Sequence, residues 1–296
     1  MKLGLGTVQF GMDYGISNIH GRTSVEEARE ILHFADEHGI ELFDTAYSYG
    51  DSETVLGNVL PEGHSFRIVT KTPVFKKDTI LKSDRSVLMD AFNLSLERLR
   101  QDNVYGLLIH HADDLITRSG EILFSAMAEL KEKGLVSKIG ASVYTSEHLD
   151  FITDKFDIDI IQLPINVLDR RLIQGGHLTF LKEKGVEIHA RSVFLQGLLL
   201  MSPDSLHPYF DAIKPMLKQY HAFLQDQGVS PIEGALCFIR NTEEIDYVIL
   251  GVASVGQLEL DVNAFRRHFA DELIQGLDSF SLDDPRYLNP ALWRLQ

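Results

Sequence analysis

The chain has 296 residues, 44% of them apolar and 24% charged, and 43 acidic against 28 basic side chains give a net charge of −15. This composition is globular rather than disordered, and the acidic balance argues against a dedicated nucleic-acid binder, whose phosphate partners attract Lys and Arg. One cysteine, Cys237, excludes an internal disulfide framework and a multi-cysteine zinc site. No run approaches the roughly eighteen apolar residues of a membrane span. The opening MKLGLGTVQFGMDYG lacks the long apolar core of a signal peptide, so a cytoplasmic protein with no membrane partner is expected.

Along the chain, short apolar and β-branched runs alternate with longer amphipathic stretches. The first strand is predicted over residues 2–7. A helix over 24–38 follows, with Ser24 and Glu27 at capping-box spacing, apolar Val25, Ala28, Ile31, Leu32 and Ala35 at helical spacing, and Gly39 as its stop. Further strands are predicted at 41–43, 67–70, 106–109, 138–141, 160–163, 186–189 and 247–250. Helices are predicted at 52–60, 83–99, 120–133, 146–155, 176–184, 211–227, 231–240 and 255–269. Eight strands separated by helices predict an α/β protein: a closed (β/α)8 TIM barrel, one domain over residues 1–296. The alternative, an open doubly wound sheet, is disfavoured because the first strand is not followed by GxGxxG. Residues 270–296 form a C-terminal tail, expected either across the barrel mouth or packed against the helices.

In a parallel barrel every strand C-terminus reaches one rim, and catalytic side chains gather there. The predicted strand ends carry Asp44, Lys71, His110, Ser142, Gln162 (running on toward Asn166), Arg191 with Ser192, and Gly251. An ionisable group directly after an apolar run is costly unless paired. Asp44, Lys71 and His110 on successive strands could satisfy one another, either as a structural ion pair beside a core histidine or as chemistry. Tyr49, before Gly50, could turn back over the mouth. A neighbouring Lys cation favours phenolate, so Lys71 is expected to lower the phenol's pKa and make Tyr49 a proton donor, with Asp44 holding Lys71. His111 is expected to alternate away from the site. A metal-dependent hydrolase would need several converging ligands, and strand one supplies none, so no metal site is expected. Cys237 lies in an apolar helical pattern and reads as core.

These residues resemble the aldo-keto reductase superfamily over nearly the whole chain. The resemblance rests on LGLGT at 3–7, FDTAYSYGDSE at 43–53, Thr70-Lys71, LLIHHADD at 107–114, KIGAS at 138–142, IIQLPIN at 160–166, FLQGLL at 194–199 and ILGVASVGQLELD at 249–261. It implies a barrel binding NADH or NADPH at its C-terminal rim and a reversible reduction of an aldehyde or ketone, a sugar among the candidates. The implied catalytic residues are Asp44, Tyr49, Lys71 and His110, with His110 hydrogen-bonding the carbonyl oxygen. The implied cofactor contacts are Thr7, Ser142, Gln162, Asn166, Arg191, Ser192, Gly197, Gly251, Ser254, Gln257 and Asp261.

Three departures from the family pattern stand out. Arg191 occupies the end of strand seven, where an aromatic ring usually stacks on the nicotinamide. It is expected to stack in that ring's place, to bind a substrate anion, or to pair with a neighbouring carboxylate. Gly251 and Gln257 stand where many NADPH-dependent members carry cations. Asp261 stands near the adenine, where its charge would repel a 2′-phosphate and favour NADH. The partner is a small-molecule carbonyl compound, and the oligomeric state stays open. A second reading is a nucleotide-sensing protein on the same fold with little turnover.

Overall fold

The computed structural model describes residues 1–295. Strands β1 (Lys2–Gly6), β2 (Leu42–Asp44), β3 (Arg67–Lys71), β4 (Val104–Ile109), β5 (Val136–Ser142), β6 (Ile160–Pro164), β7 (Glu187–Arg191) and β8 (Tyr247–Gly251) are parallel and pair in chain order. The sheet closes through β1 and β8, in register from Lys2↔Tyr247 to Gly6↔Gly251. The fold is therefore the closed (β/α)8 barrel.

The helices form where apolar spacing and caps coincide. In Val25–Glu37, Ala28, Ile31, Leu32 and Ala35 are buried, the Ser24 side chain accepts from the Glu27 amide, and Gly39 leaves the helix at φ +74°. Lys82–Leu99, Glu121–Glu132, Ser146–Lys155, His177–Glu183, Pro231–Arg240 and Val255–Arg266 lie within a few residues of expectation. The helix expected over 211–227 is shorter, Lys214–Asp226, with a separate turn at Pro208–Phe210. Pro215 sits in its first turn, where a missing amide costs nothing, so the helix starts there. Directly after β1 comes one helical turn, Val8–Gly11, too short to show any periodicity in the sequence.

Side chains alternate in and out along each strand. Leu42, Val69, Leu108, Ile160, Tyr247 and Ile249 pack together inside the barrel, while the larger apolar cluster lies between the strands and the helices. A Cβ on Gly140 would meet the Ile160 carbonyl oxygen at 1.7 Å, so only glycine lets these strands approach. The same parity sorts the polar residues into two layers. Gly6, Asp44, Lys71, Ser142, Gln162, Arg191 and Gly251 fall at the C-terminal rim. Arg67, Lys138, Glu187 and Tyr247 fall near the opposite end.

The opposite end is closed by a polar network. Glu187 accepts from Tyr105 Oη at 2.7 Å and Lys138 Nζ at 2.6 Å, and His189 Nε2 lies 2.9 Å from its other oxygen. Burial alone would raise the Glu187 pKa, but the hydrogen bonds from His189, Lys138 and Tyr105 outweigh it and pull it down to about 2. A carboxylate with a depressed folded pKa stabilises the fold above its ordinary range, and that contribution disappears as pH falls through the folded value. Stability attributable to Glu187 should therefore be complete above about pH 5 and decline toward pH 2. Glu187→Gln should cost about 1.5–3 kcal/mol at neutral pH and flatten this part of the acid profile. Denaturant unfolding of both proteins across pH 2–7 measures it.

Candidate active site

The C-terminal rim opens into a cavity of about 740 Å³. At its floor Lys71 and Asp44 form a buried ion pair, with Nζ 2.6 Å from Oδ1. Lys71 also donates to the Thr45 carbonyl at 2.8 Å, and Gln162 Nε2 donates to the other Asp44 oxygen at 2.7 Å. Lys71 is 1% and Asp44 4% exposed, so the two charges have little but each other and these hydrogen bonds. Burial pulls the Lys71 ammonium below its ordinary range, and Asp44 opposes that pull.

Tyr49 reaches this floor because the loop after β2 doubles back. Gly50 has φ +56°, and a Cβ there would meet the Gly11 carbonyl oxygen at 2.5 Å. A Cβ on Gly11 would meet the Tyr49 carbonyl oxygen at 1.8 Å. Ser52 pins the contact, donating to the Thr7 carbonyl at 2.7 Å while its oxygen lies within 3.0 Å of the Thr7 and Thr45 hydroxyls. Lys71 Nζ then lies 5.0 Å from the centre of the Tyr49 ring, and the His110 ring stands edge-on to it at 5.5 Å. Tyr47 faces elsewhere, under the Arg98 guanidinium.

The phenol does not follow the sequence expectation. Burial raises the Tyr49 pKa, Asp44 raises it further, and Arg191 is the cation that opposes them. Burial is the largest cause, and Lys71 does not offset it because its charge sits 2.6 Å from a carboxylate that cancels most of its field. His110 is held neutral, its pKa lowered to about 3 by burial and by the cations Lys71 and Arg191, and its Nδ1 has no hydrogen-bond partner among the described residues.

Other expected residues separate into two groups. Thr7, Ser142, Gln162, Arg191, Ser192, Gly197, Gly251, Gln257 and Asp261 line the cavity together with Asp44, Tyr49 and His110. Asn166 does not: it is fully buried, its Oδ1 accepts from the Leu168 and Asp169 amides, and its Nδ2 donates to the Ser192 carbonyl. Ser254 does not either, because its hydroxyl caps Val255–Arg266 by accepting from the Gln257 amide. His111, expected to turn away, lines the cavity beside His110. β4 ends at Ile109, so strand alternation no longer governs either histidine. Asp261 faces the cavity, but burial raises its carboxyl to about 8, so the charge invoked against a 2′-phosphate is largely absent at neutral pH.

Arg191 has no carboxylate partner among the described residues, which removes the salt-bridge alternative. Its guanidinium carbon lies 4.0 Å from the centre of the Tyr144 ring. Its Nε donates to Ser142 Oγ at 3.3 Å, Nη1 to Ser192 Oγ at 3.2 Å and Nη2 to the Val143 carbonyl at 3.0 Å. Tyr144 was missed in the sequence, because it lies two residues past the end of β5. Also missed were Tyr14, which accepts from Gln196 Nε2 at 3.1 Å across the mouth, and Gln9, whose Oε1 is buried without a partner. Asn289, Ala291 and Leu292 line the cavity, while Trp293 stands edge-on to Phe210 at 5.0 Å.

Comparison with known proteins identifies the family. The family model described as the aldo/keto reductase family matches residues 2–281. The aldo-keto reductase YhdN of Bacillus subtilis is 26% identical over 284 residues, covering 87% of this chain and 83% of its own. The L-galactose dehydrogenase of Arabidopsis thaliana is 27% identical, covering 84% of this chain and 81% of its own. The NADH-specific methylglyoxal reductase of Escherichia coli is 27% identical over 67% of this chain and 65% of its own. Among solved structures, the holo form of aldo-keto reductase AKR11C1 from Bacillus halodurans matches at TM-score 0.74 and 22% identity, covering 94% and 91% of the two chains.

If His110 is neutral by burial, its ring should not titrate near the ordinary histidine value of about 6.5. Resolved histidine NMR signals should show His110 unchanged from pH 8 down to about 4, with protonation only near pH 3.

Proposed function

Because the chain belongs to the aldo/keto reductase family, whose members are generally NAD(P)-dependent oxidoreductases, we propose that it reduces a small aldehyde or ketone at this cavity with Tyr49 as the proton donor. The observation that carries the reading is the convergence of Tyr49, His110 and the Lys71–Asp44 pair at the closed end of one cavity. The residues fit a dinucleotide. The cavity runs from this end to Gly251, Gln257 and Asp261, where a glycine keeps the wall clear of Gln9 and a buried Gln9 oxygen lacks a partner. When bound, a reduced nicotinamide supplies the hydride for the carbonyl carbon.

The chain's own residues do the rest. Neutral His110 presents a donor nitrogen to the carbonyl oxygen, polarising it without adding a formal charge. Tyr49 transfers its hydroxyl proton to the same oxygen as negative charge develops there, so the alcohol leaves neutral. Lys71 stabilises the phenolate left behind. Asp44 keeps the ammonium in place, and Gln162 fixes the second carboxylate oxygen. The high pKa of the buried phenol keeps Tyr49 protonated, as a donor must be.

The substrate class we infer is a small polar carbonyl, with sugars in first place. Two relatives carry names of this kind, an L-galactose dehydrogenase and a methylglyoxal reductase. We also infer that NADH binds at least as well as NADPH. Lys76 and Arg191 are the lysine and arginine of the cavity wall. At the Gly251–Asp261 end the amides are already satisfied: Ala253 donates to Gln257 Oε1, Gln257 to Ser254 Oγ, and Val255 to the Glu27 carboxylate at 2.7 Å. Among the described residues, no lysine or arginine lines that end of the cavity to receive a 2′-phosphate.

Tyr49→Phe should lower turnover about 10²- to 10⁴-fold while both dinucleotides bind as in the wild type, NADH no more weakly than NADPH. Tyr47→Phe should stay near wild type. Cofactor oxidation against a panel of aldehydes and sugars, beside calorimetric titration of each cofactor, measures this. Near-normal turnover in Tyr49→Phe removes the tyrosine from the proton transfer. Tight binding with no turnover on any carbonyl would point to the nucleotide sensor instead.

A further inference from the structure

Beside His110 the cavity wall carries a second polar cluster that the reaction above does not use. Lys76 comes from the loop after β3, His111 and Asp113 from the loop after β4, and His148 from the segment after β5. The first two loops are tied together by Asp114, which is buried and accepts from the Phe75 amide at 3.0 Å and the Lys76 amide at 2.9 Å. Lys76 is thereby held at φ +49°, a conformation that residues other than glycine seldom adopt. In an eight-stranded barrel β4 lies diametrically across from β8. A dinucleotide running out over Gly251, Gln257 and Asp261 on the β8 side leaves the β4 side of the mouth, next to His110, to the carbonyl substrate.

The cluster mixes acceptors with donors. The Asp113 side chain is 58% exposed and lies between two imidazoles, with His148 Nε2 2.9 Å from Oδ1 and His111 Nδ1 3.3 Å from Oδ2. Two electronegative atoms at 2.9 Å need a proton between them, so His148 carries its proton on Nε2. His111 Nδ1 makes no hydrogen bond among the described residues, which leaves Oδ2 open to a ligand. No three His, Cys, Asp or Glu side chains among the described residues are placed to hold a metal ion. A carboxylate only accepts, an ammonium only donates, and a hydroxyl does both. A wall that carries Asp113 together with Lys76, His111 and His148 therefore matches a run of hydroxyl groups, each able to donate to the carboxylate and accept from a neighbouring N–H. An anionic substrate is repelled by Asp113 and a cationic one by Lys76. An apolar one strips water from the carboxylate and returns no hydrogen bond.

We propose that Asp113, held beside His148, accepts hydroxyl groups of the substrate and selects neutral polyhydroxylated carbonyl compounds over unsubstituted and over anionic ones. This rests on the reading of the cavity as a carbonyl-reducing site. Asp113 meets the substrate away from the reacting carbon, so it sets specificity rather than the chemical step, and its loss is felt mainly in KM. His148 acts through Asp113 and is a positioning residue. Because Asp113 is more than half exposed, water competes for it. The contact is therefore worth about a tenfold preference, not the far larger discrimination of an enclosed polar pocket.

The test compares aldehydes of equal chain length, propanal with glyceraldehyde and butanal with erythrose, by kcat and KM from NADH oxidation. Each compound is compared with itself across variants, so differences in intrinsic reactivity and hydration cancel. Asp113→Ala should lower kcat/KM about tenfold more for the hydroxylated member of each pair than for the unsubstituted one, mainly through KM. Asp113→Asn keeps an acceptor oxygen and removes the charge. It should lose less on the hydroxylated aldehydes and improve glyceraldehyde 3-phosphate relative to glyceraldehyde. His148→Leu should reduce the hydroxyl preference, and His148→Gln, which keeps a side-chain donor, should restore part of it. Equal effects of Asp113→Ala on both members of each pair overturn the proposal. So does a wild type that prefers glyceraldehyde 3-phosphate to glyceraldehyde, because Lys76 would then set the choice. A wild type that reduces neither hydroxylated aldehyde also overturns it. The carbonyl-reducing reading falls with it only if no aldehyde or ketone at all is turned over.

Discussion

The buried pair of Lys71 and Asp44 is the constraint on which the rest of the rim depends. Two charges cannot be taken out of water without several kcal/mol of desolvation on each, and their attraction repays this only when the geometry is good and the remaining hydrogen bonds are made. Here they are made: Lys71 also reaches the Thr45 carbonyl, and Asp44 also accepts from Gln162. Such a pair adds little stability compared with apolar residues of the same volume, but loss of one partner strands the other. Its presence at the end of two adjacent strands is more readily understood as positioning than as glue. It places a cation under Tyr49 in a fixed orientation while leaving the net charge of the floor at zero.

That neutrality has a consequence for the phenol. A lone lysine beneath Tyr49 would hold it partly ionised and spoil it as an acid. A lysine paired with an aspartate leaves the buried phenol protonated, and its field is felt most when negative charge develops above it. The neutral His110 fits the same logic, since a histidinium there would sit beside Lys71 and Arg191 at a further electrostatic cost. The far wall is different. Among the described residues Arg191 is balanced by no carboxylate and is held by neutral oxygens and a ring, so the mouth is asymmetric: compensated charge on the proton side, uncompensated charge on the other.

Much of this was legible in the sequence. Apolar runs that end on Asp44 and Lys71 mark strand ends, and the alternation along each strand places Ser142, Gln162 and Arg191 on the same inner surface. The loop from β2 was legible through Gly50, whose positive φ lets Tyr49 turn back. What was not legible has local physical causes. Asn166 and Ser254 are short polar residues that satisfy nearby backbone amides, a competition that pattern reading of a strand end does not register. His111 was misplaced because alternation was carried past the last residue of β4. Tyr144 lies two residues past the end of β5, where strand parity no longer places a side chain. Tyr14 lies on a long loop whose path depends on contacts with Gln196, far along the chain. The raised pKa of Tyr49 is not legible because a sequence shows the neighbouring cation but neither the burial of the phenol nor how closely the counter-ion sits.

The measurement that tests the central claim most directly is the turnover of Asp44→Asn, per mole of folded protein, with the carbonyl that wild type reduces fastest. Asparagine keeps an oxygen for Lys71, turns an amide donor toward Gln162 in place of the second carboxylate oxygen, and removes the charge, leaving a buried ammonium uncompensated and driven toward its neutral form. If the ion pair positions the charge that Tyr49 needs, turnover should fall at least about tenfold, the effect of roughly 1.4 kcal/mol on the barrier, with dinucleotide affinity retained. Folded Asp44→Asn turning over at the wild-type rate would contradict the account, because the charge at the floor of the cavity would then be irrelevant to the chemistry above it.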